Sequence, residues 1–251
     1  MEKVSRKSKV IGVMGGMGPE ATIDFMRTVI RLTPAEQDQD HIRMLVDHDP
    51  SVPNRQQAIF DDDKRVGTHL AEMAVSLEQN GADFLVMPCN SAHAFESEIL
   101  ASVGIPFISI VEETTRRACE LIAGGSRVGV LAAAGCYHAG IYQASLTAAD
   151  KLVLTPPGDR IDALMEVIYR IKAGDVTENT RREIRDFALQ LIVDGAEIII
   201  AACTEIPLVL SSYDIEVPLV SSTEVLAERA VALAIGTDRN LNAPVTTCHC
   251  T

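Results

Sequence analysis

The sequence predicts an α/β fold of two pseudo-symmetric parallel-sheet units, an internal duplication with a site in the cleft between them. Three observations carry this prediction. Short β-rich apolar runs alternate with longer helical patterns, as in strands joined by crossover helices. The first of these runs is apolar throughout rather than alternating, which marks a strand covered on both faces. The second half of the chain then repeats the first. At 251 residues the chain has room for one large domain or two half-size units.

Taken in order, residues 10–14 (Val10-Ile11-Gly12-Val13-Met14) read as the first strand. Gly15-Gly16-Met17-Gly18-Pro19 turns the chain into a helix over about 20–32, with Pro19 suited to its first turn. A second strand is expected over 42–46, then a loop over 47–55. A helix follows over 67–80 and ends at Gly81. Residues 84–87 form the next strand, with Cys89-Asn90-Ser91-Ala92-His93 at its carboxyl end. A strand over 105–110 and a charged helix close the first half.

The repeat starts at Val128-Gly129-Val130-Leu131, which parallels the first strand and ends in the small-residue loop Ala132-Ala133-Ala134-Gly135. Gly81-Ala82-Asp83-Phe84-Leu85-Val86-Met87-Pro88-Cys89 aligns with Gly195-Ala196-Glu197-Ile198-Ile199-Ile200-Ala201-Ala202-Cys203, the cysteine eight positions after the glycine in each. Gly104-Ile105-Pro106-Phe107-Ile108-Ser109 likewise resembles Glu216-Val217-Pro218-Leu219-Val220-Ser221. We expect the first unit to comprise residues 1–105 plus 216–251 as a C-terminal return, and the second residues 106–215.

Composition excludes several functions. Twenty-two Lys and Arg against 35 Asp and Glu leave a net charge of −13, which argues against nucleic acid or an anionic membrane as partner. Aromatics are 4% of the chain and Trp is absent, so there is no stacking surface for bases. No apolar run approaches the roughly 18 residues of a membrane span, and no signal-peptide pattern opens the chain. The expectation is a cytoplasmic protein whose six cysteines are thiols.

Ligands of open α/β sheets bind beyond the carboxyl ends of the strands, where the repeat puts Cys89 and Cys203. A lone cysteine after a strand is most often core; two at equivalent positions of duplicated units mark a site. Asn90-Ser91 and Thr204 can cap helices, and a helix N-terminus stabilises a thiolate. Paired thiols serve three chemistries. A redox disulfide lacks a Cys-x-x-Cys motif, and a zinc site lacks further ligands at metal spacing, although His93 lies four residues from Cys89. The third is two-base proton transfer, one thiolate removing a proton from a carbon and the opposite thiol returning one to the other face. Its outcome is racemisation.

Gly15-Gly16-Met17-Gly18-Pro19-Glu20-Ala21-Thr22, Pro88-Cys89-Asn90-Ser91-Ala92-His93 and Cys203-Thr204-Glu205-Ile206 resemble the aspartate/glutamate racemase family. So do Val52-Pro53-Asn54-Arg55 and Ile168-Tyr169-Arg170-Ile171-Lys172-Ala173-Gly174, and the resemblance is nearly collinear over residues 9–235. It is closest to the aspartate racemase branch, which uses no pyridoxal phosphate. The resemblance implies Cys89 and Cys203 as acid/base residues, and Arg55 and Lys172 as holders of substrate carboxylates. Met17, Asn90, Ser91, Thr204 and Glu205 would complete the substrate site. It also implies no cofactor, no metal and a homodimer acting on a small amino acid, aspartate first. Glu205 stands where glutamate racemases place a His. Ser91 and Asn54-Arg55-Gln56 depart from the commoner Thr and Asp-Arg-Thr, and Cys136 sits where relatives often have Thr.

Plainer readings apply elsewhere. Gly16-Met17-Gly18-Pro19-Glu20-Ala21 fits a dinucleotide fingerprint but lacks the acidic residue expected about 20 positions on. His93 reads as a capping or supporting residue, and Cys119 as the apolar face of a helix. Cys248-His249-Cys250 resembles a metal motif in a Pro/Thr-rich tail. The rival functions are racemisation of glutamate or of many amino acids, and a catalytically inactive anion-binding protein on the same fold.

Overall fold

In the computed structural model, which describes residues 8–237, β1 (Ile11–Gly15) is buried at all five positions. It is one of two inner strands of a four-stranded parallel sheet ordered β2-β1-β3-β4, with β2 (Met44–His48), β3 (Phe84–Val86) and β4 (Phe107–Ile108). The second sheet repeats that order as β6-β5-β7-β8, from β5 (Arg127–Ala132), β6 (Leu152–Leu154), β7 (Ile198–Ala202) and β8 (Leu219–Ser221). The duplication extends to packing. A Cβ on Gly12 would strike Leu85, Ala82 and Leu77, whereas one on Gly129 would strike Ile199, Ala196 and Leu191. Each of those three neighbours is 114 positions from its counterpart, as Cys89 is from Cys203.

The crossovers are helical. α1 (Pro19–Leu32) opens on Pro19 and turns Phe25 and Val29 into the core. α2 (Arg55–Asp61) is capped by the Asn54 side chain, which accepts from the Gln56 and Gln57 amides. α3 (Arg65–Gln79) and α4 (Glu96–Ser102) cover one face of the first sheet. α5 (Ile110–Leu121) leads into β5, and α6 (Ala134–Ala139) and α7 (Ile141–Ala148) follow it. α8 (Gly158–Lys172) and α9 (Glu178–Val193) cover the second sheet on the side away from the first. α10 (Ser222–Ile235), with ten buried residues, packs on α1 and α5.

Several expectations need correction. The second strand runs two residues later than 42–46, and the 47–55 loop gives way to α2 at Arg55. The strand over 105–110 shrinks to two residues, because Ser109 already stands at the N-cap of α5 and Ile110 begins it. The boundaries 1–105, 106–215 and 216–251 also miss the sheets. β4 pairs with β3 in the first sheet and β8 with β7 in the second, so each unit keeps its own fourth strand. Only α10 returns to the first unit, against α1. Cys248-His249-Cys250 lies outside the described residues. Among the described residues no helix is long and apolar enough to cross a membrane.

Candidate active site

The carboxyl ends of β3 and β7 bring Cys89 and Cys203 into one cleft of about 330 Å³ between the two units. All nine residues singled out in the sequence line it: Met17, Arg55, Cys89, Asn90, Ser91, Lys172, Cys203, Thr204 and Glu205. Both thiols are free and nearly closed off from solvent, Cys89 at 4% and Cys203 at 6% exposure.

Their surroundings differ. Cys203 Sγ donates to Glu205 Oε2 at 3.0 Å. Burial, followed by the Glu205 charge, pushes its pKa well above that of an ordinary thiol, and Lys172 offsets only part of this. Among the described residues Cys89 Sγ has no carboxylate partner; the hydroxyl of Ser91 lies 3.9 Å away. In this conformation Cys203 is therefore held as a thiol.

The expected helix caps do not form. After Cys89 comes a 3-10 turn, Ser91–Phe95, and after Cys203 another, Ile206–Leu208, each without a side-chain cap. The side chains are committed elsewhere. Asn90 Oδ1 accepts from the Tyr142 hydroxyl at 2.6 Å, and Asn90 Nδ2 donates to Ser222 Oγ at 3.0 Å. The Thr204 hydroxyl donates to Glu205 Oε2 at 3.3 Å. His93 supports the Cys89 backbone: its Nδ1 lies 2.9 Å from the Cys89 carbonyl, and its Nε2 accepts from the Ile110 amide at 3.1 Å. A ring that accepts at Nε2 carries its proton on Nδ1, so His93 is neutral and donates to Cys89. Burial lowers its pKa to about 4.

Two cations reach the cleft. Lys172 Nζ pairs with Glu205 Oε1 at 2.5 Å, the lysine side chain 30% exposed and the glutamate 3%. Burial is the largest single influence and works against the ammonium, yet Glu205 together with negative charge on Cys203 and Cys89 outweighs it and raises the Lys172 pKa. Arg55 Nη1 donates to the carbonyls of Val52 and Pro53 at 3.0 and 3.1 Å. Its Nε is buried without a partner, so the guanidinium is braced on one edge with donor capacity left for an anion.

The sequence reading missed Gln56, Met165 and Tyr169, which also line the cleft. Gln56 Oε1 accepts from the Gly135 amide across the cleft at 2.5 Å. A Cβ on Gly135 would sit 2.7 Å from that oxygen, so a larger residue there would push the Gln56 amide back. Beside this bond Phe60 packs on His138, ring centroids 4.6 Å apart, which joins α2 to α6. Cys136 lines the cleft as well, and burial, then the nearby Cys89, pushes its pKa far up. It is a neutral wall atom. Among the described residues no cluster of three or more His, Cys, Asp or Glu is placed to hold a metal ion.

Two parallel α/β units, facing each other across a cleft with one thiol from each, define a pseudo-symmetric racemase architecture. Residues 14–230 match the Asp/Glu/hydantoin racemase family. The chain belongs to that family and is an isomerase of the amino-acid racemase type. It is 30% identical over 227 residues to the broad specificity amino-acid racemase RacX of Bacillus subtilis (strain 168), covering 89% of this chain and 97% of the relative. The solved aspartate racemase of Picrophilus torridus superposes with a TM-score of 0.80 at 28% identity, over 91% of this chain and 94% of the other. Glutamate racemase RacE1 of Bacillus anthracis shares the fold, with a TM-score of 0.63 at 22% identity over 92% of this chain and 83% of its own.

Proposed function

We propose that the protein interconverts L- and D-aspartate without a cofactor, with Cys89 and Cys203 as the two bases. The carrying observation is that the two thiols, from equivalent strand ends of the duplicated units, line one cleft that also holds Arg55 and Lys172. A thiolate removes the Cα proton from one face and the opposite thiol delivers a proton to the other. The first sulfur ends as a thiol and the second as a thiolate. Because the α-proton is far less acidic than a thiol, the charge developing on the substrate carboxylate must be stabilised. Arg55, braced and incompletely satisfied, supplies one donor group for this, and Lys172 supplies a second. Cys203, whose thiol donates to Glu205, serves as the acid for the enantiomer that presents its proton to Cys89.

A second reading has its own support. Lys172 is already paired with Glu205, and Cys136, Met165 and Tyr169 give the cleft a wall without formal charge. A substrate with one carboxylate and a neutral side chain needs only Arg55, consistent with the broad specificity named for the Bacillus relative. The experiment is chiral chromatography of a panel of L-amino acids, repeated in deuterated water. Aspartate alone supports the first reading, and turnover of many residues the second. Ligand binding with no exchange at Cα would leave an anion-binding protein. In Cys89→Ala and Cys203→Ala, racemisation should be abolished; near-native racemisation in either refutes the two-base assignment. A homodimer in the cytoplasm completes the proposal, and light scattering at assay concentration tests the dimer.

A further inference from the structure

We propose that Tyr142 and Ser222 are positioning residues that set the spacing of the two catalytic sulfurs, acting through Asn90; the inference rests on the two-base reading above. Three bonds run in series across the seam between the units. The Tyr142 hydroxyl donates to Asn90 Oδ1 at 2.6 Å, Asn90 Nδ2 donates to Ser222 Oγ at 3.0 Å, and the Ser222 hydroxyl donates to the Ala201 carbonyl at 2.9 Å. Asn90 follows Cys89 directly, and Ala201 precedes Cys203 by two residues on β7. The series therefore ties the backbone carrying one sulfur to the strand carrying the other.

Its direction is fixed at every step. Tyr142 has a single proton to give, and giving it to Oδ1 turns the Asn90 amide so that its NH2 meets Ser222. Ser222 accepts that bond and spends its own proton on Ala201. Burial raises the Tyr142 pKa, so the phenol stays a donor throughout the working pH range. All three side chains are at most 3% exposed, where a missing partner cannot be replaced by solvent. Neither Tyr142 nor Ser222 lines the cleft, so neither contacts substrate. The same bonds explain why Asn90, expected in the substrate site, has its carbonyl and one N–H engaged within the protein.

Racemisation needs both sulfurs at attack distance from one carbon at once, and a displacement of about 1 Å at such a centre can cost on the order of a hundredfold. Exchange of the α-hydrogen with retention needs only one sulfur. That difference separates positioning from general loss of structure. Tyr142→Phe and Ser222→Ala are compared with the parent enzyme in deuterated water, following inverted and retained deuterated product from a single enantiomer of the best panel substrate. The expected result is a fall in inversion of at least about tenfold in kcat, with KM within about twofold and retained exchange falling much less. The ratio of retention to inversion therefore rises. Parallel loss of both products, or no loss, overturns the proposal. Should Tyr142→Phe fail to fold, Ser222→Ala, which removes one atom, decides alone. If either cysteine→Ala variant still racemises, the two-base reading itself has failed. If both cysteines are required and the ratio is unmoved, only the strap has failed.

Discussion

His93 supplies a stability test that needs no substrate. Its ring is held neutral between a donor bond to the Cys89 carbonyl and an acceptor bond from the Ile110 amide, with Phe107 tilted against it at 5.4 Å. In the unfolded chain the ring titrates near 6.5, whereas in the folded protein burial lowers it to about 4. Below 6.5 the unfolded state therefore binds a proton that the native state refuses. The stability His93 contributes is fully present above 6.5 and is lost as the pH falls from there toward 4. At about 1.4 kcal/mol per pKa unit the full loss is about 3 kcal/mol, of which about 2 kcal/mol is gone by pH 5. The perturbation is His93→Gln, which keeps an acceptor for Ile110 but does not titrate. Urea unfolding of both proteins at pH 7 and pH 5 is the assay, and every group they share cancels in the difference. The parent should lose about 2 kcal/mol more than the variant over that interval. Equal losses would show that the ring is not held neutral, and the tautomer assigned above would be wrong.

Other expectations follow from the cleft. Lys172→Met strands the Glu205 carboxylate, 3% exposed, and should cost about 3 kcal/mol in urea unfolding, the low end for a broken buried pair because Lys172 is partly solvated. Glu205→Gln should cost about 1 kcal/mol; the reverse order would contradict the pairing. Burial holds Cys203 protonated first and the Glu205 carboxylate second; the same Glu205→Gln change removes the second, so iodoacetamide should modify Cys203 faster at pH 8, read by peptide mass mapping. Gly135→Ala forces Gln56 off the Gly135 amide. With Arg55 adjacent to Gln56, KM should rise about fivefold, the equivalent of one hydrogen bond, and kcat should hold within about twofold; an unchanged KM would mean the cross-cleft bond does not set the position of α2.

What could be read in the sequence was whatever repeats or lies close in the chain. The strands β1, β3, β5 and β7 announce themselves because burial on both faces demands continuous apolar runs, and their repetition marks where the two cysteines stand. β4 was overread: the apolar run continues through Ile110 and Val111, but the helix takes those residues for its own core face. The internal bonds of Asn90 escape a sequence reading for a different reason. Its partners lie 52 and 132 positions away, and no local pattern announces a distant tyrosine and serine. Gln56 depends likewise on a backbone amide 79 positions on. Glu205 could be placed at the site, but whether it faced the substrate, Lys172 or Cys203 was a matter of tertiary geometry.

One apolar cluster joins the units. It holds Ile11, Val13 and Phe84 from the first sheet together with Val128, Ile198 and Val220 from the second, sealed by Leu226, Ala230 and Leu233 of α10. Neither half can bury that surface by itself. Although the chain is built as a duplicate, its halves have lost autonomy: heat or urea should melt them in a single transition, with no population in which one sheet survives alone. A chain cut after α5 would yield two fragments that are each incomplete and regain structure only by complementation.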